Sequence, residues 1–149
     1  FFAHTLGPST HEDDRIALKQ AISMLPEFCK KEFTYIEDPE LTCKDVEKIY
    51  SYYDFMVGTR FHSVIFALNV GVPAIAIAYG GNKSRGIMKD FGLEDFVLDM
   101  NDLEYDSITN CFVRLEKHKD KYLRKIESAK NDIRMKRESL ITTIRRLLR

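Results

Sequence analysis

The sequence predicts an α/β domain built on a doubly wound, mostly parallel sheet. Short apolar runs alternate along the chain with segments whose apolar residues recur at helical spacing, which is typical of strand–helix units. The run Ala-Ile-Ala-Ile-Ala over 74–78 is continuously apolar. Such a run indicates a parallel strand that helices cover on both faces. Glycine or proline lies next to most of these runs, where the chain must turn.

Two strand–helix units are predicted in the first 50 residues. The apolar run 1–6 predicts a strand, and the apolar residues after Asp13 predict a helix. Residues 33–36 predict a second strand. Thr42 with Asp45 three positions on approximates a capping box, so a second helix is expected to begin there.

Three further strands are predicted in the middle of the chain, over 55–57, 74–78 and 96–98. A buried helix over 61–70, closed by Gly71, joins the first two of them. A short helix closed around Gly92 joins the last two. Successive parallel strands joined by helices imply right-handed crossovers.

The last part of the chain, 106–149, predicts a long amphipathic and basic helical extension. Its apolar residues recur three, four or seven positions apart, which indicates one or two long helices. Residues 114–149 hold 13 Lys or Arg against 5 Asp or Glu, a net charge of +8, so the rest of this neutral chain carries −8. A solvated face that complements an acidic body is favoured over nucleic-acid or membrane binding. A dimerising coiled coil stays open, although Lys119 and Lys136 interrupt its seam.

Composition places the chain among globular proteins of one domain. Its 149 residues suit a single domain over 1–149, and a net charge of zero gives no general attraction to nucleic acid. Apolar runs are far shorter than the ~20 residues that span a bilayer, and no signal-peptide pattern is present. Cys29, Cys43 and Cys111 lack a Cys-x-x-Cys pair and are expected to be reduced thiols. We therefore expect a cytoplasmic protein, and its opening within an apolar run suggests a fragment of a longer one.

Two loops at the predicted carboxyl edge of the sheet carry cations, and ligands of open parallel sheets bind at that edge. Gly58 is expected to let the chain turn sharply, which places Arg60 and His62 in the first turn of the next helix. Arginine matches carboxylate or phosphate with a planar fork, and histidine exchanges a proton near neutral pH. Lys83 follows the strand over 74–78 in the second loop, which begins at Tyr79.

If these two strands are neighbours, three cationic or titratable side chains converge on one cleft, and its ligand should be an anion. Each has a structural alternative: Arg60 pairing with a carboxylate, His62 starting a helix, and Lys83 lying in solvent. The three together at one edge favour a binding site. No Gly-x-x-x-x-Gly-Lys-Ser/Thr or Gly-x-Gly-x-x-Gly motif occurs, and the four histidines lack metal-ligand spacing, so no metal is predicted.

The run from Asp54 to Leu68, followed by 71–79, Lys83 and 90–93, resembles the polysaccharide pyruvyl transferase family. In that family an Arg-x-His motif follows a short strand ending in Gly, and a Gly-Val-Pro turn leads to a strand ending in Tyr with a Lys shortly after. The segment Leu-Gly-Pro over 6–8 and the later Asp-Asp-Arg over 13–15 also resemble it. The resemblance covers about 5–98. The middle residue of the motif is Phe61, where Leu is common.

The resemblance implies the Rossmann-like, carboxyl-terminal half of a two-domain fold similar to the GT-B glycosyltransferases. It implies transfer of pyruvate from phosphoenolpyruvate, with no cofactor, to a sugar of a cell-surface polysaccharide or its precursor as a ketal. Arg60 and His62 would be catalytic donor-site residues, and Gly58, Tyr79 and Lys83 would also bind substrate. The implied partners are an amino-terminal domain outside this chain and a glycan acceptor. A lipid-linked acceptor would bring the enzyme to the inner face of the membrane.

Two other functions stay open. The same architecture suits a nucleotide-sugar-dependent GT-B glycosyltransferase or epimerase, in which the cleft would hold a nucleotide diphosphate. Alternatively, the domain is catalytically silent and serves as a binding or assembly unit through its basic helices.

Overall fold

The computed structural model describes residues 1–7, 9, 12–81 and 83–148. The turn residues Pro8 and Asn82, both part of predicted motifs, lie outside the described residues. The chain forms two compact units, Phe1–Thr42 and Cys43–Arg149. The expectation of one domain over the whole chain stays a prediction.

The first unit contains two helices, α1 (Asp14–Ser23) and α2 (Glu27–Lys30). The predicted helix start is confirmed, because the Asp13 carboxylate accepts a hydrogen bond from the Arg15 backbone N–H as the N-cap of α1.

The two strands predicted in this unit are wrong in extent. Residues 1–6 and 33–36 meet through one isolated parallel bridge, Phe2 to Ile36, and form no strand there. The Asp14 carboxylate accepts hydrogen bonds from the backbone N–H groups of His4 and Thr5, both at 3.0 Å. A side chain thus uses the donors that a longer strand ladder would need.

The second unit holds a three-stranded parallel sheet in the order β1-β2-β3. Its elements in chain order are α3 (Cys43–Tyr50), β1 (Met56–Gly58), α4 (Phe61–Asn69), β2 (Ala74–Ala78), α5 (Lys83–Asp90), β3 (Val97–Asp99), α6 (Tyr105–Lys117) and α7 (Lys119–Leu147). Seven α-helices among the described residues and a parallel sheet confirm the α/β class and are consistent with a Rossmann-like fold. The reversal of strand order that defines a doubly wound sheet does not occur among these three strands.

The core of this unit is centred on β2, whose five residues are all buried as its apolar run predicts. The α4 helix buries Val64, Ala67 and Leu68. From α7, the Tyr122 hydroxyl donates to the Ala74 carbonyl at 2.6 Å and accepts from the Ala74 N–H at 3.0 Å. Burial raises the pKa of Tyr122. One side chain therefore satisfies both backbone groups where β2 begins.

The expectation of one or two long carboxyl-terminal helices is confirmed, and the structure has two, α6 and α7, with a break at His118. Cys111 and Leu115 of α6 are buried in the core. Residues 131–148, in contrast, are almost all exposed. In the part of the chain that the structure describes, no helix is both long and apolar enough to cross a membrane.

Candidate functional site

The carboxyl ends of β1 and β2 lie side by side, because the two strands pair in parallel with Gly58 opposite Ala76. The loop after each strand leads into a helix, α4 after β1 and α5 after β2. Arg60 is the N-cap residue of α4, and Lys83 is the first residue of α5. Both cations therefore sit at the start of a helix, where backbone N–H groups favour anions.

The chain bends at residues 59 and 60, directly after Gly58, and the glycine itself allows close packing. Its backbone is not among the positive-φ glycines. A Cβ atom added there would lie 2.6 Å from the Ser63 hydroxyl oxygen and 3.0 Å from a Val64 methyl carbon. The Ser63 hydroxyl in turn donates to the Arg60 carbonyl at 2.6 Å. The missing side chain lets the first turn of α4 rest on the end of β1, which fixes the backbone of Arg60.

Arg60 and Tyr79 are brought together from the two loops. The Arg60 Nη1 donates a hydrogen bond to the Tyr79 hydroxyl at 3.3 Å, across 19 positions of sequence. The Arg60 side chain is half-buried and Tyr79 is half-exposed. A partly buried guanidinium has lost some of its hydration, so it attracts an anion more strongly than one in open water.

His62 is exposed on the first turn of α4. Its ring packs against the edge of Phe61, with centroids 5.3 Å apart, and lies 6.2 Å from the ring of Phe66. No hydrogen bond joins the imidazole to any described residue. Two aromatic rings thus lie next to the imidazole, and its nitrogens have no hydrogen-bond partner among the described residues.

Lys83 is exposed and follows Gly80 and Gly81, whose φ angles of +55° and +150° favour glycine. Among the described residues no carboxylate pairs with its ammonium group. The structure places Lys83 at the same sheet edge as Arg60 through the pairing of β1 with β2. Its role in binding stays a prediction.

An ion pair at this edge was missed from the sequence. Asp99 ends β3, opposite Ala78 of β2, and its carboxylate accepts from the Asn101 N–H at 3.0 Å and from Arg85 Nη2 at 2.5 Å. These contacts, the Asn101 N–H first and Arg85 second, hold the pKa of Asp99 below its ordinary value. A polar residue directly after the apolar run of β3 was the available signal, but its pairing with Arg85 depends on the β2–β3 register.

Within residues 1–7, 9, 12–81 and 83–148, no group of three or more His, Cys, Asp or Glu side chains is placed to hold a metal ion. The groups at the sheet edge are instead one half-buried arginine, an exposed histidine, a lysine and an arginine–aspartate pair. The protein is thus defined as a parallel α/β unit that carries cationic side chains at the carboxyl edge of its sheet. Such folds bind their ligands at that edge.

Comparison with known proteins gives the family. The family model described as polysaccharide pyruvyl transferase matches residues 1–81, which is more than half of the chain. The chain therefore belongs to the polysaccharide pyruvyl transferase family, a family of transferases. The match includes Gly58, Arg60, His62 and Tyr79 and ends two residues before Lys83.

A curated relative agrees with this assignment. The amylovoran biosynthesis protein AmsJ of Erwinia amylovora is 46% identical over 52 residues, which are 35% of this chain and 12% of AmsJ. The aligned stretch thus spans only a small part of that relative. No solved structure matches this chain.

Proposed function

We propose that this chain is the carboxyl-terminal, GT-B-type domain of an enzyme that transfers pyruvate from phosphoenolpyruvate to a sugar as a ketal. The product would be a cell-surface polysaccharide or its precursor. The observation that carries the proposal is the half-buried Arg60, hydrogen-bonded to Tyr79 at the carboxyl edge of the sheet and inside the family match. AmsJ is, by its printed name, a protein of amylovoran biosynthesis.

The charge of phosphoenolpyruvate suits this edge. Its phosphate and carboxylate lie on a three-carbon skeleton, so its site needs at least two cationic or N–H-rich contacts. Arg60 offers a planar fork to one anionic group, and Lys83 with the first turn of α5 offers a point charge to the other. Tyr79 would hold the guanidinium in position through its hydroxyl. No cofactor is needed for this binding.

His62 is the proposed proton donor. Protonation of the methylene carbon of the enol gives a methyl group and an electron-poor carbon, which a sugar hydroxyl attacks. Phosphate then leaves that carbon, and a second hydroxyl of the sugar closes the ketal as both hydroxyl protons are released. An imidazole on the first turn of α4, open to a ligand, is suited to give the first proton and to take up a later one.

The acceptor is expected to bind between this domain and an amino-terminal domain outside this chain, since GT-B-type clefts have two walls. A lipid-linked acceptor would place the enzyme in the cytoplasm at the inner face of the membrane. These partners extend the proposal and are tested with the complete enzyme.

The donor assignment is tested by nuclear magnetic resonance of the isotope-labelled chain. Phosphoenolpyruvate, and separately a uridine diphosphate sugar, are titrated while amide shifts are followed. Phosphoenolpyruvate should shift the amides of residues 58–62 and 79–83, and Arg60→Gln should weaken its binding at least about tenfold. Arg134→Gln, on the exposed part of α7, is the matched control and should leave binding unchanged.

A preference for the nucleotide sugar would replace this proposal with the glycosyltransferase function. No shift with either ligand would contradict a donor site on this half. Equal weakening by Arg60→Gln and Arg134→Gln would mean that binding follows net charge and not the proposed site.

A further inference from the structure

Helix α7 carries one apolar stripe, and only its first half is covered. The stripe consists of Tyr122, Ile126, Ile133, Leu140, Ile144 and Leu147, whose spacing of three, four or seven places them on one side of the helix. Tyr122 and Ile126 are each 1% exposed, whereas Ile133, Leu140 and Leu147 are 50%, 60% and 79% exposed. The helix therefore extends past the core that it packs on, and the apolar stripe is exposed to solvent in its second half.

The direction of the stripe limits what can cover it. Through Tyr122 and Ile126, this side of α7 packs against the core of the second unit. A flat bilayer against the bare half of the stripe would clash with the second unit, because the bilayer and the unit would occupy the same side of the helix. A protein surface that fits beside the unit is a better occupant.

The charges of residues 131–148, here called distal α7, indicate which charge the partner surface should carry. Distal α7 holds five Lys or Arg against two Asp or Glu. At 3.6 residues per turn, Lys136 and Arg137 lie just outside the two edges of the stripe, while Asp132 and Glu138 lie at least about a quarter turn from its centre. No carboxylate among the described residues pairs with Lys136 or Arg137. Two such helices would repel each other, so the partner should be acidic.

This chain carries such a surface itself. Residues 90–106, here called the acidic segment, contain seven acids and no Lys or Arg: Asp90, Glu94, Asp95, Asp99, Asp102, Glu104 and Asp106. Asp99 pairs with Arg85, and the other six are exposed. Met100 and Tyr105 add exposed apolar area among them. The acidic segment thus offers a charge opposite to that of distal α7 and exposed apolar side chains for its bare stripe.

We propose that distal α7 of one copy docks on the acidic segment of a second copy. Two copies that exchange this contact reciprocally close a two-fold dimer with two identical contacts and leave neither helix bare. The inference is independent of the donor chemistry, since it involves neither Arg60 nor His62.

Sedimentation equilibrium of the 149-residue protein tests this dimer. We expect a monomer–dimer equilibrium whose dissociation constant rises at least about tenfold between low and high salt, because the contact is charge-assisted. Lys136→Glu with Arg137→Glu should weaken association at least about tenfold, and Asp102→Lys with Asp106→Lys should weaken it as well. An equimolar mixture of the two variants should associate again, because in one contact of the mixed dimer the reversed helix residues meet the reversed segment residues, and in the other both sides are unchanged.

Matched neutral changes test the apolar part of the contact. Leu140→Ser should weaken association, whereas Met135→Ser, on the opposite side of the same helix, should not. All of these side chains are exposed, so circular dichroism should show unchanged helix content. If the charge-reversal variant of the helix unfolds, Lys136→Gln with Arg137→Gln is a milder variant that tests the same two residues.

Three results would overturn the proposal. One is a monomer at every concentration and salt. Another is association that is strengthened by the helix charge reversals and unaffected by those in the acidic segment, which indicates helix–helix pairing. The third is co-sedimentation of the protein with phosphatidylglycerol vesicles through distal α7 without self-association, which indicates a lipid surface.

Discussion

At the scale of single residues, the sheet edge depends on a missing methyl group. Gly58 allows Ser63 to approach within a distance that no Cβ atom tolerates, and the Ser63 hydroxyl holds the Arg60 carbonyl. Arg60 is thereby presented toward the loop after β2, where its guanidinium meets Tyr79. Packing behind the arginine is therefore part of the proposed anion site.

Replacing Gly58 with Ala should lower the free energy of unfolding by about 1–3 kcal/mol, because the new methyl group overpacks the contact with Ser63. Gly86→Ala is the matched control, since a Cβ there meets nothing within 4 Å in the middle of α5. That change should raise the same free energy by about 0.5–1 kcal/mol. Urea unfolding followed by circular dichroism measures both.

Adding Ser63→Ala to Gly58→Ala should restore part of the lost stability, because it removes the nearer of the two clashing atoms. Equal stability of Gly58→Ala and the wild type would contradict the packing role assigned to this glycine.

Asp99 should titrate below the ordinary aspartate pKa, and its carboxyl carbon signal in a pH titration measures this. A lowered folded pKa means that Asp99 stabilises the fold above its unfolded pKa. That contribution is lost as the pH falls through the folded pKa. Arg85→Gln should raise the pKa only part of the way, because the Asn101 N–H is the larger cause. An Asp99 pKa at its ordinary value in the wild type would rule out the pair.

At the scale of elements, Tyr122 joins α7 to the sheet by hydrogen bonds. The Tyr122 hydroxyl is buried and makes both hydrogen bonds to Ala74, at the point where β2 begins. Ring packing against Phe96, with centroids 4.9 Å apart, adds to the contact. The first half of α7 is thereby tied to the central strand, and the sheet edge lies at the other end of that strand.

Tyr122→Phe should lower the free energy of unfolding by about 1–3 kcal/mol, because the N–H and the carbonyl of Ala74 lose their partner in a buried place. Tyr105→Phe removes the same atom from a side chain that is 81% exposed, and should change stability by less than about 0.5 kcal/mol. Thermal and urea unfolding compare the two. Equal effects would mean that Tyr122 acts through its ring alone.

At the scale of the whole molecule, we propose that the donor chemistry takes place in a longer enzyme. The 52 aligned residues make up 12% of AmsJ. In the proposed enzyme, this chain would contribute one sheet edge to a cleft whose other wall we expect in a further domain. Binding of the donor is therefore tested on this chain, and turnover on the complete protein.

In the complete enzyme, His62→Ala should lower kcat by about 10²- to 10⁴-fold with a small change in the KM for phosphoenolpyruvate, as expected for loss of a general acid. His118→Ala, between α6 and α7 and outside the family match, is the control and should leave turnover unchanged. Steady-state release of phosphate measures both. Near-normal turnover of His62→Ala would exclude this histidine from the proton transfer.

The sequence by itself determined the α/β class, the buried strand β2, the long helical extension at the carboxyl-terminal end and the family. These features depend on local periodicity and on a contiguous motif, Arg60-Phe61-His62, which a linear chain displays directly. The strand predictions in the first unit failed because the apolar run 1–6 contains no sign that the carboxylate of Asp14 takes its backbone donors.

Only the tertiary structure decided which side chains meet at the sheet edge and which face of α7 stays bare. The hydrogen bond from Arg60 to Tyr79 joins the loops after β1 and β2, and the pair of Arg85 with Asp99 joins α5 to β3, across 19 and 14 positions of sequence. Each depends on how neighbouring strands are aligned, and the close approach at Gly58 depends on how α4 packs on β1. Strand register and helix docking are set by packing of the whole core, so no local pattern specifies them.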